Sequence, residues 1–448
     1  MEFNINQQVA QITEEILEVN PKIVCFSAYI WNIEQLSNLI YNIKQLKPNI
    51  KIVIGGPEAS YEYEKARWLP YVDHVVCGEG EVTLPKLLSD LLSNGIQNKV
   101  INSPVIDDLT KINMPYSAYS DEDIANRVVY VESSRGCPFL CEFCISSLDN
   151  KVRFFDVDQF LEQMLTLINK GVLHFKFIDR TFNVGTKRAI KVLDFFLNNW
   201  RDGMQLHFEI VPDKLKGELL EKMKQFPLHG LHLEVGIQSY NHDTQELISR
   251  RQDFELTKTN LKSLLTETGA LVHTDLVIGL PAETWESFAN GFNQLIDQRP
   301  QEIQIGFLKR LKGTPIIRHT EEYQLIFENQ APFEILQTRD INFQQMRQLK
   351  KFSRYFDLFY NSENFPNSLE LLWELDENYF KSFMQLTEFT WNATKQTHKI
   401  SLKNLVKIFY DFISSMNAIS HDELFTALSN DFYRIPGRKE KLENIIGL

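Results

Sequence analysis

Six short apolar segments alternate with amphipathic segments of helical length between residues 128 and 308, and this rhythm limits the possible folds more than any other feature. Alternation of strands and helices predicts a parallel sheet covered by helices. The expected strands are 128–134, 174–179, 206–211, 231–238, 271–279 and 302–308, and the expected helices are 158–170, 187–200, 214–225, 243–250, 257–268 and 284–299. Six units are fewer than the eight of a closed barrel. We therefore expect a partial, open (β/α)6 barrel within residues 128–320.

A shorter alternation precedes the barrel and predicts a Rossmann-like α/β domain over residues 1–104. The expected helices are 7–19, 33–46 and 82–92, and the expected strands are 21–29, 49–57 and 74–81. Ligands in such folds bind at the carboxyl ends of the strands. Small or polar residues stand at these ends, namely Ser27, Gly55-Gly56 and Gly78-Glu79.

The remaining segments lack a strand rhythm. Residues 105–127 show no clean periodicity, and we expect a linker that runs over the surface. Residues 321–448 have helical spacing and many Phe, Leu, Tyr and Asn residues, which predicts a C-terminal helical domain. The fold class expected for the whole chain is therefore α/β with a helical C-terminal region.

Composition excludes several classes of protein. The formal net charge of −12 argues against a nucleic-acid binder, because such proteins are basic overall. The longest apolar runs are strand-sized, well below the ~20 residues of a membrane helix. The N-terminus resembles no signal peptide, and five cysteines are too few for a disulfide framework. These features predict a cytoplasmic, reducing location and no membrane partner.

Three of the five cysteines lie within eight positions, after the first strand of the barrel. They are Cys137, Cys141 and Cys144. Thiolates are soft ligands that suit iron–sulfur clusters, zinc or copper. Structural zinc normally takes four ligands, whereas three thiolates on a cubane cluster leave one iron open. The alternatives are a degenerate zinc site or three merely structural thiols, and Cys25 and Cys77 resemble small buried apolar residues.

This cysteine loop resembles that of the radical S-adenosylmethionine (radical SAM) enzymes. Their CxxxCxxC signature has an aromatic residue before the third cysteine, and Phe143 stands there. The resemblance implies a [4Fe-4S] cluster on the three cysteines. It also implies that the open iron chelates SAM, and that one electron cleaves SAM to a 5′-deoxyadenosyl radical.

Later segments resemble the SAM-binding motifs of the same superfamily, in the same order. The candidates for SAM binding that the resemblance implies are Phe143, Asp179, Glu209, Glu234, Gln238, Ser239, Arg251, Gly279 and Leu280. Asp179 could instead cap a turn, the common role of Asp at a strand end. Glu209 and Glu234 lie in otherwise apolar strands and require partners. Arg251 could be a surface residue, the role we expect for Arg250.

The first domain resembles the cobalamin-binding domain that precedes many radical SAM cores. The residues that match its loops are Ser27, Tyr29, Gly55, Gly56, Glu58, Gly78 and Glu79. The DxHxxG motif that supplies a histidine ligand to cobalt is absent from the sequence. The domain begins near the second strand of the family and is expected to lack the first. The alternative is a degenerate module that only docks on the barrel.

The resemblance implies a cobalamin-dependent radical SAM methyltransferase that acts on an unactivated carbon. The alternatives are a non-methylating oxidation, rearrangement or cyclisation, and a non-enzymatic electron-transfer or scaffold protein. The expected reducing partner is a flavodoxin or ferredoxin. The C-terminal region, with residues 341–365, resembles the tail of a bacterial group of such enzymes without an established reaction. We expect it to be a helical cap on the barrel rather than a substrate-recognition element.

Overall fold

The computed structural model describes residues 1–93 and 98–447 and contains two α/β parts followed by a helical part. The first α/β part has its own apolar core. The second shares one continuous core with the C-terminal helices. None of the helices in the described ranges has the length and apolar character required to cross a bilayer.

The first part contains a four-stranded parallel sheet whose strands are paired in chain order, β1-β2-β3-β4. Its elements are α1 (Val9–Glu18), β1 (Ile23–Ser27), α2 (Ile33–Leu46), β2 (Lys51–Gly55), α3 (Pro57–Ser60), β3 (His74–Cys77), α4 (Thr83–Leu92) and β4 (Val100–Asn102). The three expected strands and helices are confirmed. The pattern did not predict β4, because three residues are too few to show a period of two.

The second part is a six-stranded parallel sheet with the order β12-β11-β10-β9-β8-β5. Its elements are α5 (Asp121–Asn126), β5 (Val129–Val131), β6 (Ser134–Arg135), β7 (Arg153–Phe154), α6 (Val157–Asn169), β8 (His174–Phe177), α7 (Thr186–Asn198), β9 (Gln205–Ile210), α8 (Gly217–Met223), β10 (Leu231–Gln238), α9 (His242–Leu247), α10 (Phe254–Glu267), β11 (Leu271–Ile278), α11 (Trp285–Ile296) and β12 (Glu302–Phe307). The terminal strands β5 and β12 are not neighbours in this order, so the barrel is open, as predicted. The β6–β7 hairpin brackets the cysteine loop.

Alternation along the central strands separates an outer apolar face from a polar lumen. In β9, Leu206, Phe208 and Ile210 are buried, and the residues between them are only half-buried. The same alternation holds throughout β10. Because successive side chains of a strand point to opposite faces, His207 and Glu209 face the lumen. The lumen of this barrel is therefore lined by ionisable groups.

The C-terminal region is helical, with one small hairpin that the sequence did not predict. Its elements are β13 (Ile326–Phe327), β14 (Ile335–Gln337), α12 (Phe343–Phe356), α13 (Pro366–Leu375), α14 (Tyr379–Thr394), α15 (Leu402–Met416), α16 (His421–Tyr433) and α17 (Leu442–Ile446). Phe352 of α12 packs on Phe292 of the barrel, with ring centroids 5.1 Å apart. This region caps the barrel, as expected.

The segment before the barrel is anchored more firmly than the sequence suggested. Leu109 and Tyr116 are buried, and the Tyr116 hydroxyl accepts a hydrogen bond of 2.8 Å from the backbone N–H of Glu132. The other residues of 105–127 are exposed or half-buried, so the segment runs over the surface and is anchored at these two side chains. Isolated apolar residues give no periodic signal, so the sequence could not show that they dock.

Candidate functional site

The three cysteines of the loop line one cavity of about 150 Å³. The opposite wall comes from strands β9, β10 and β11, through Glu209, Glu234, Gly236, Gln238 and Asp275. The loop follows β5, and four of these five wall residues, all except Glu234, lie in the second half of their strands. The carboxyl ends of parallel strands meet at one edge, so the fold brings the thiols and the carboxyl groups to the same space.

The three thiols fit a metal cluster. All three are free, and Cys137 and Cys141 are buried. Burial raises the pKa of the Cys141 thiol, and the Arg250 guanidinium, 3.5 Å from its sulfur, opposes that rise. Among the described residues that line this cavity there is no fourth cysteine. Three soft ligands beside a fixed cation suit an iron–sulfur cluster with one open iron.

Glu142 anchors the cysteine loop from behind. It lies between Cys141 and Cys144, yet its side chain is only 4% exposed. Its carboxylate accepts hydrogen bonds from Ser249 at 2.9 Å and from the Arg318 guanidinium. His319 Nε2 lies 3.0 Å from it. This role could not be recognised from sequence, because all three partners are distant along the chain.

Two of the three carboxyl groups of the wall, Glu234 and Glu209, have different electrostatic environments. Burial alone would raise the pKa of Glu234, but His207 Nε2 at 2.7 Å and Lys176 Nζ at 3.1 Å lower that pKa to about 2. For Glu209, burial raises the pKa to about 7, and Arg180 at 3.6 Å offsets this only in part. Glu234 is thus ionised at neutral pH, and Glu209 can exchange a proton there.

Of the residues predicted to bind SAM, four line the cysteine cavity and five do not. Phe143, Glu209, Glu234 and Gln238 line it. Arg251 is exposed, and the neighbouring Arg250 lines the cavity instead. Arg250 also donates to the backbone carbonyl of Gly236. The side chains of adjacent residues in a turn point in different directions, so the sequence alone could not show which arginine points into the cavity.

The other four residues predicted to bind SAM do not line the cavity. The Asp179 carboxylate is buried and accepts hydrogen bonds from the Ser133 N–H (2.9 Å) and from the Ser133 and Ser134 hydroxyls (2.7 and 2.5 Å). Asp179 therefore stabilises the turn after β5, the alternative role stated above. Ser239 donates to buried Glu283. Gly279 contacts Ile335, and Leu280 is fully buried.

A second cavity, of about 860 Å³, lies at the carboxyl edge of the first sheet. Six of the seven residues predicted for cobalamin line it: Ser27, Tyr29, Gly55, Gly56, Gly78 and Glu79. Glu58 does not, because it is buried and pairs with Lys312 at 3.2 Å. Gly56 has φ +93°, and a Cβ there would lie 2.7 Å from the carbonyl oxygen of Ala28. Glycine lets the backbone form this wall, and the cavity fits a large cofactor.

The two cavities adjoin. The second cavity is also lined by residues of the barrel domain, and two of these, Ser146 and Arg180, line the cysteine cavity as well. Glu79 holds the domains together here, because its carboxylate pairs with Arg135 at 3.1 Å and with Arg153 at 3.0 Å. A group bound at the first sheet would therefore face the cysteine loop.

Sequence models of three protein families match consecutive parts of the chain. These are the B12 binding domain (residues 2–88), the radical SAM superfamily (residues 131–295) and a protein of unknown function, DUF4080 (residues 321–446). The expected resemblance is confirmed, since the chain carries a B12-binding domain followed by a radical SAM domain. The matches support the predicted cofactors, and the C-terminal match agrees with the predicted group without an established reaction.

Two relatives and one solved structure illustrate the similarity. An uncharacterized methyltransferase of Pyrococcus horikoshii is 28% identical over 62% of this chain and 64% of its own. The cobalamin-dependent radical SAM methyltransferase TokK of Streptomyces tokunonensis is 24% identical over 66% of this chain and 48% of its own. The chain thus spans less than two thirds of either relative.

The solved structure is that of the cobalamin-dependent SAM radical enzyme OxsB with aqua-cobalamin and SAM bound. It superposes with a TM-score of 0.61 over 97% of this chain and 78% of its own. At 14% sequence identity, this likeness establishes the fold alone.

Proposed function

We propose that this chain, which joins a B12-binding domain to a radical SAM domain, is a cobalamin-dependent radical SAM methyltransferase that acts on an unactivated carbon. The observation that carries the proposal is the junction of the two cavities at Ser146 and Arg180. A methyl carrier in one cavity and a radical source in the other would both reach a substrate at this junction. The names of the two relatives agree with this reaction.

In this proposal, Cys137, Cys141 and Cys144 hold a [4Fe-4S] cluster, and the glycine-lined cavity holds cobalamin. When bound, the cluster supplies the electron that cleaves SAM, and cobalamin carries the methyl group. The wall residues of the cysteine cavity hold SAM. Ionised Glu234 is suited to the SAM ammonium group, and Arg250 is suited to its carboxylate.

Arg180 and Glu209 are the residues best placed to meet the substrate. The Arg180 side chain is half exposed and lines both cavities. Glu209, beside it, has a pKa of about 7. In the proposed site, Arg180 orients the substrate, and the Glu209 carboxyl holds or releases a proton near neutral pH. The protein works in the reducing cytoplasm and receives electrons from a flavodoxin or ferredoxin.

The proposal is tested with protein purified anaerobically and supplied with iron, sulfide and hydroxocobalamin. After addition of SAM and a strong reductant, we expect both 5′-deoxyadenosine and S-adenosylhomocysteine by liquid chromatography. The same protein without reductant serves as the control. Absence of both products would overturn the proposal. Formation of 5′-deoxyadenosine without S-adenosylhomocysteine would instead favour a non-methylating reaction.

A further inference from the structure

We propose that His232, His273 and Glu302 form a binding site for one divalent transition-metal ion inside the barrel, one side-chain layer below the cysteine cavity. This site is separate from the cluster and from the cobalamin cavity. It goes beyond the proposed function, because neither methyl transfer nor SAM cleavage requires it.

Strand pairing brings the three side chains together. His273 of β11 stands directly opposite Glu302 of the edge strand β12. His232 lies on β10, the other neighbour of β11, two residues before Glu234, which is paired with His273. One ligand atom from each of the three side chains lies within 4.8 Å of the other two. The three ligands thus come from three adjacent strands rather than from one flexible loop.

Two imidazoles and one carboxylate are a common ligand set for zinc and other first-row divalent ions. Three protein ligands leave open positions for water or another molecule.

His273 provides a second and independent observation. Its side chain is buried, and its Nε2 lies 3.2 Å from Asp275 Oδ1, a carboxylate that can orient the ring so that Nδ1 is directed toward a metal ion. Its Nδ1 lies 3.7 Å from Glu302 Oε2. The two ring nitrogens thus face two different carboxyl groups, and a cation between Nδ1 and Glu302 would leave the contact with Asp275 intact.

The lumen around the site has an excess of carboxyl groups. Strands β9 to β12 contribute four of them, namely Glu209, Glu234, Asp275 and Glu302. Lys176 pairs with Glu234 of β10, and Arg180 pairs with Glu209 of β9. On the β11–β12 side, the basic partner of Asp275 and of Glu302 among the described residues is His273. A divalent cation there would balance the charge.

The neighbouring histidine is not part of the site but orients it. His207 pairs with Glu234, and its ring stacks on that of His232 with centroids 4.2 Å apart. This stack limits the rotation of the His232 ring and keeps it beside His273. Asp275 lies two residues beyond His273 and lines the cysteine cavity, so the site is about 7 Å from that cavity along β11.

The decisive experiment uses the full chain with Cys137, Cys141 and Cys144 all changed to alanine, so that no cluster iron can be counted. This protein is titrated with Zn²⁺ by calorimetry and with Co²⁺ by visible spectroscopy. We expect one ion per chain and a Co²⁺ spectrum of nitrogen and oxygen ligands. The result is independent of the proposed reaction, because this variant cannot perform it.

Ligand variants then identify the site. We expect Glu302→Gln to weaken Zn²⁺ binding by at least about 100-fold, since loss of supporting partners alone costs 10–100-fold. The Glu302 side chain is half-exposed, so we expect this variant to fold, and weaker Zn²⁺ binding would not be due to misfolding. His232→Ala with His273→Ala should abolish binding, whereas His174→Ala, at an exposed position of the same barrel, should retain it. Absence of a stoichiometric ion, or its persistence in the double variant, would overturn the proposal.

Discussion

The walls of the cysteine cavity and of the cavity at the first sheet consist of different kinds of groups. The cysteine cavity is formed by reactive side chains, namely three thiols, three carboxyl groups, two of which have opposite pKa shifts, and two arginines. The cavity at the first sheet is formed largely by backbone at glycines and by the contact of two domains. A site made of side chains depends on single functional groups, whereas a site made of backbone depends on shape. Substitutions should therefore affect the two cavities in different ways.

Removal of one thiol should have the largest effect. Cys141→Ala is expected to reduce bound iron from about four per chain to near zero and to abolish SAM cleavage. Iron analysis and product chromatography measure both. Cys77→Ala, in β3 of the first domain, is the matched control and should retain the cluster. An iron content near four in Cys141→Ala would show that the ligand assignment is wrong.

The backbone cavity should respond to added volume. Gly56→Ala places a Cβ against the Ala28 backbone at a positive φ, and we expect a loss of about 3 kcal/mol in the free energy of unfolding. Cobalamin binding should fall with it, while the iron content stays unchanged. Gly80→Ala is the control, because its φ is ordinary and no atom lies within 4 Å of the added Cβ. Equal stability of the two variants would contradict the role assigned to Gly56.

The anchor of the cysteine loop should have an intermediate effect. Glu142→Gln removes the charge from a buried carboxylate that contacts Arg318 and His319. We expect the free energy of unfolding to fall by about 2 kcal/mol, because a buried ion pair loses one partner. Urea unfolding of protein without cluster measures this.

Substitution of Arg318, the partner of Glu142 in this ion pair, provides the control. Arg318 is 62% exposed, so Arg318→Gln should cost less than about 1 kcal/mol. Similar losses in Glu142→Gln and Arg318→Gln would show that the anchor acts only as a surface pair. A larger loss of unfolding free energy in Glu142→Gln would show that the buried carboxylate anchors the loop.

The smallest effect concerns pH. The pKa of Glu209 is about 7 in the folded chain and about 4.3 when unfolded. The folded state therefore binds more protons between these values, and stability falls as pH rises through that interval. Partial exposure reduces the effect to about 1–2 kcal/mol.

Glu209→Gln should remove this decrease. Urea unfolding at pH 5 and pH 7.5 compares the two proteins without cofactors. An equal pH dependence in both would contradict the elevated pKa. Glu234 shifts in the opposite direction, because its pKa of about 2 gives stability above pH 4.5 that is lost as pH falls toward 2.

Local patterns predicted the strands of both sheets except β4, and they predicted the cysteine loop, but they missed what depends on distant contacts. Strand residues such as Leu206 and Phe208 alternate with polar neighbours, which is a signal within a few residues. The partner of Glu58, by contrast, is Lys312, which lies more than 250 positions away. Glu58 therefore could not be recognised from sequence as an anchor between domains.

The sequence by itself determined the six-stranded rhythm, the position of the three thiols after the first barrel strand and the glycines at the edge of the first sheet. Each follows from spacing along the chain. Only the tertiary structure decided that Arg250 rather than Arg251 faces the thiols, that Asp179 supports a turn, and that His232, His273 and Glu302 converge. Side-chain direction and strand register depend on how separate elements pack, and that packing is a property of the whole chain rather than of any short segment.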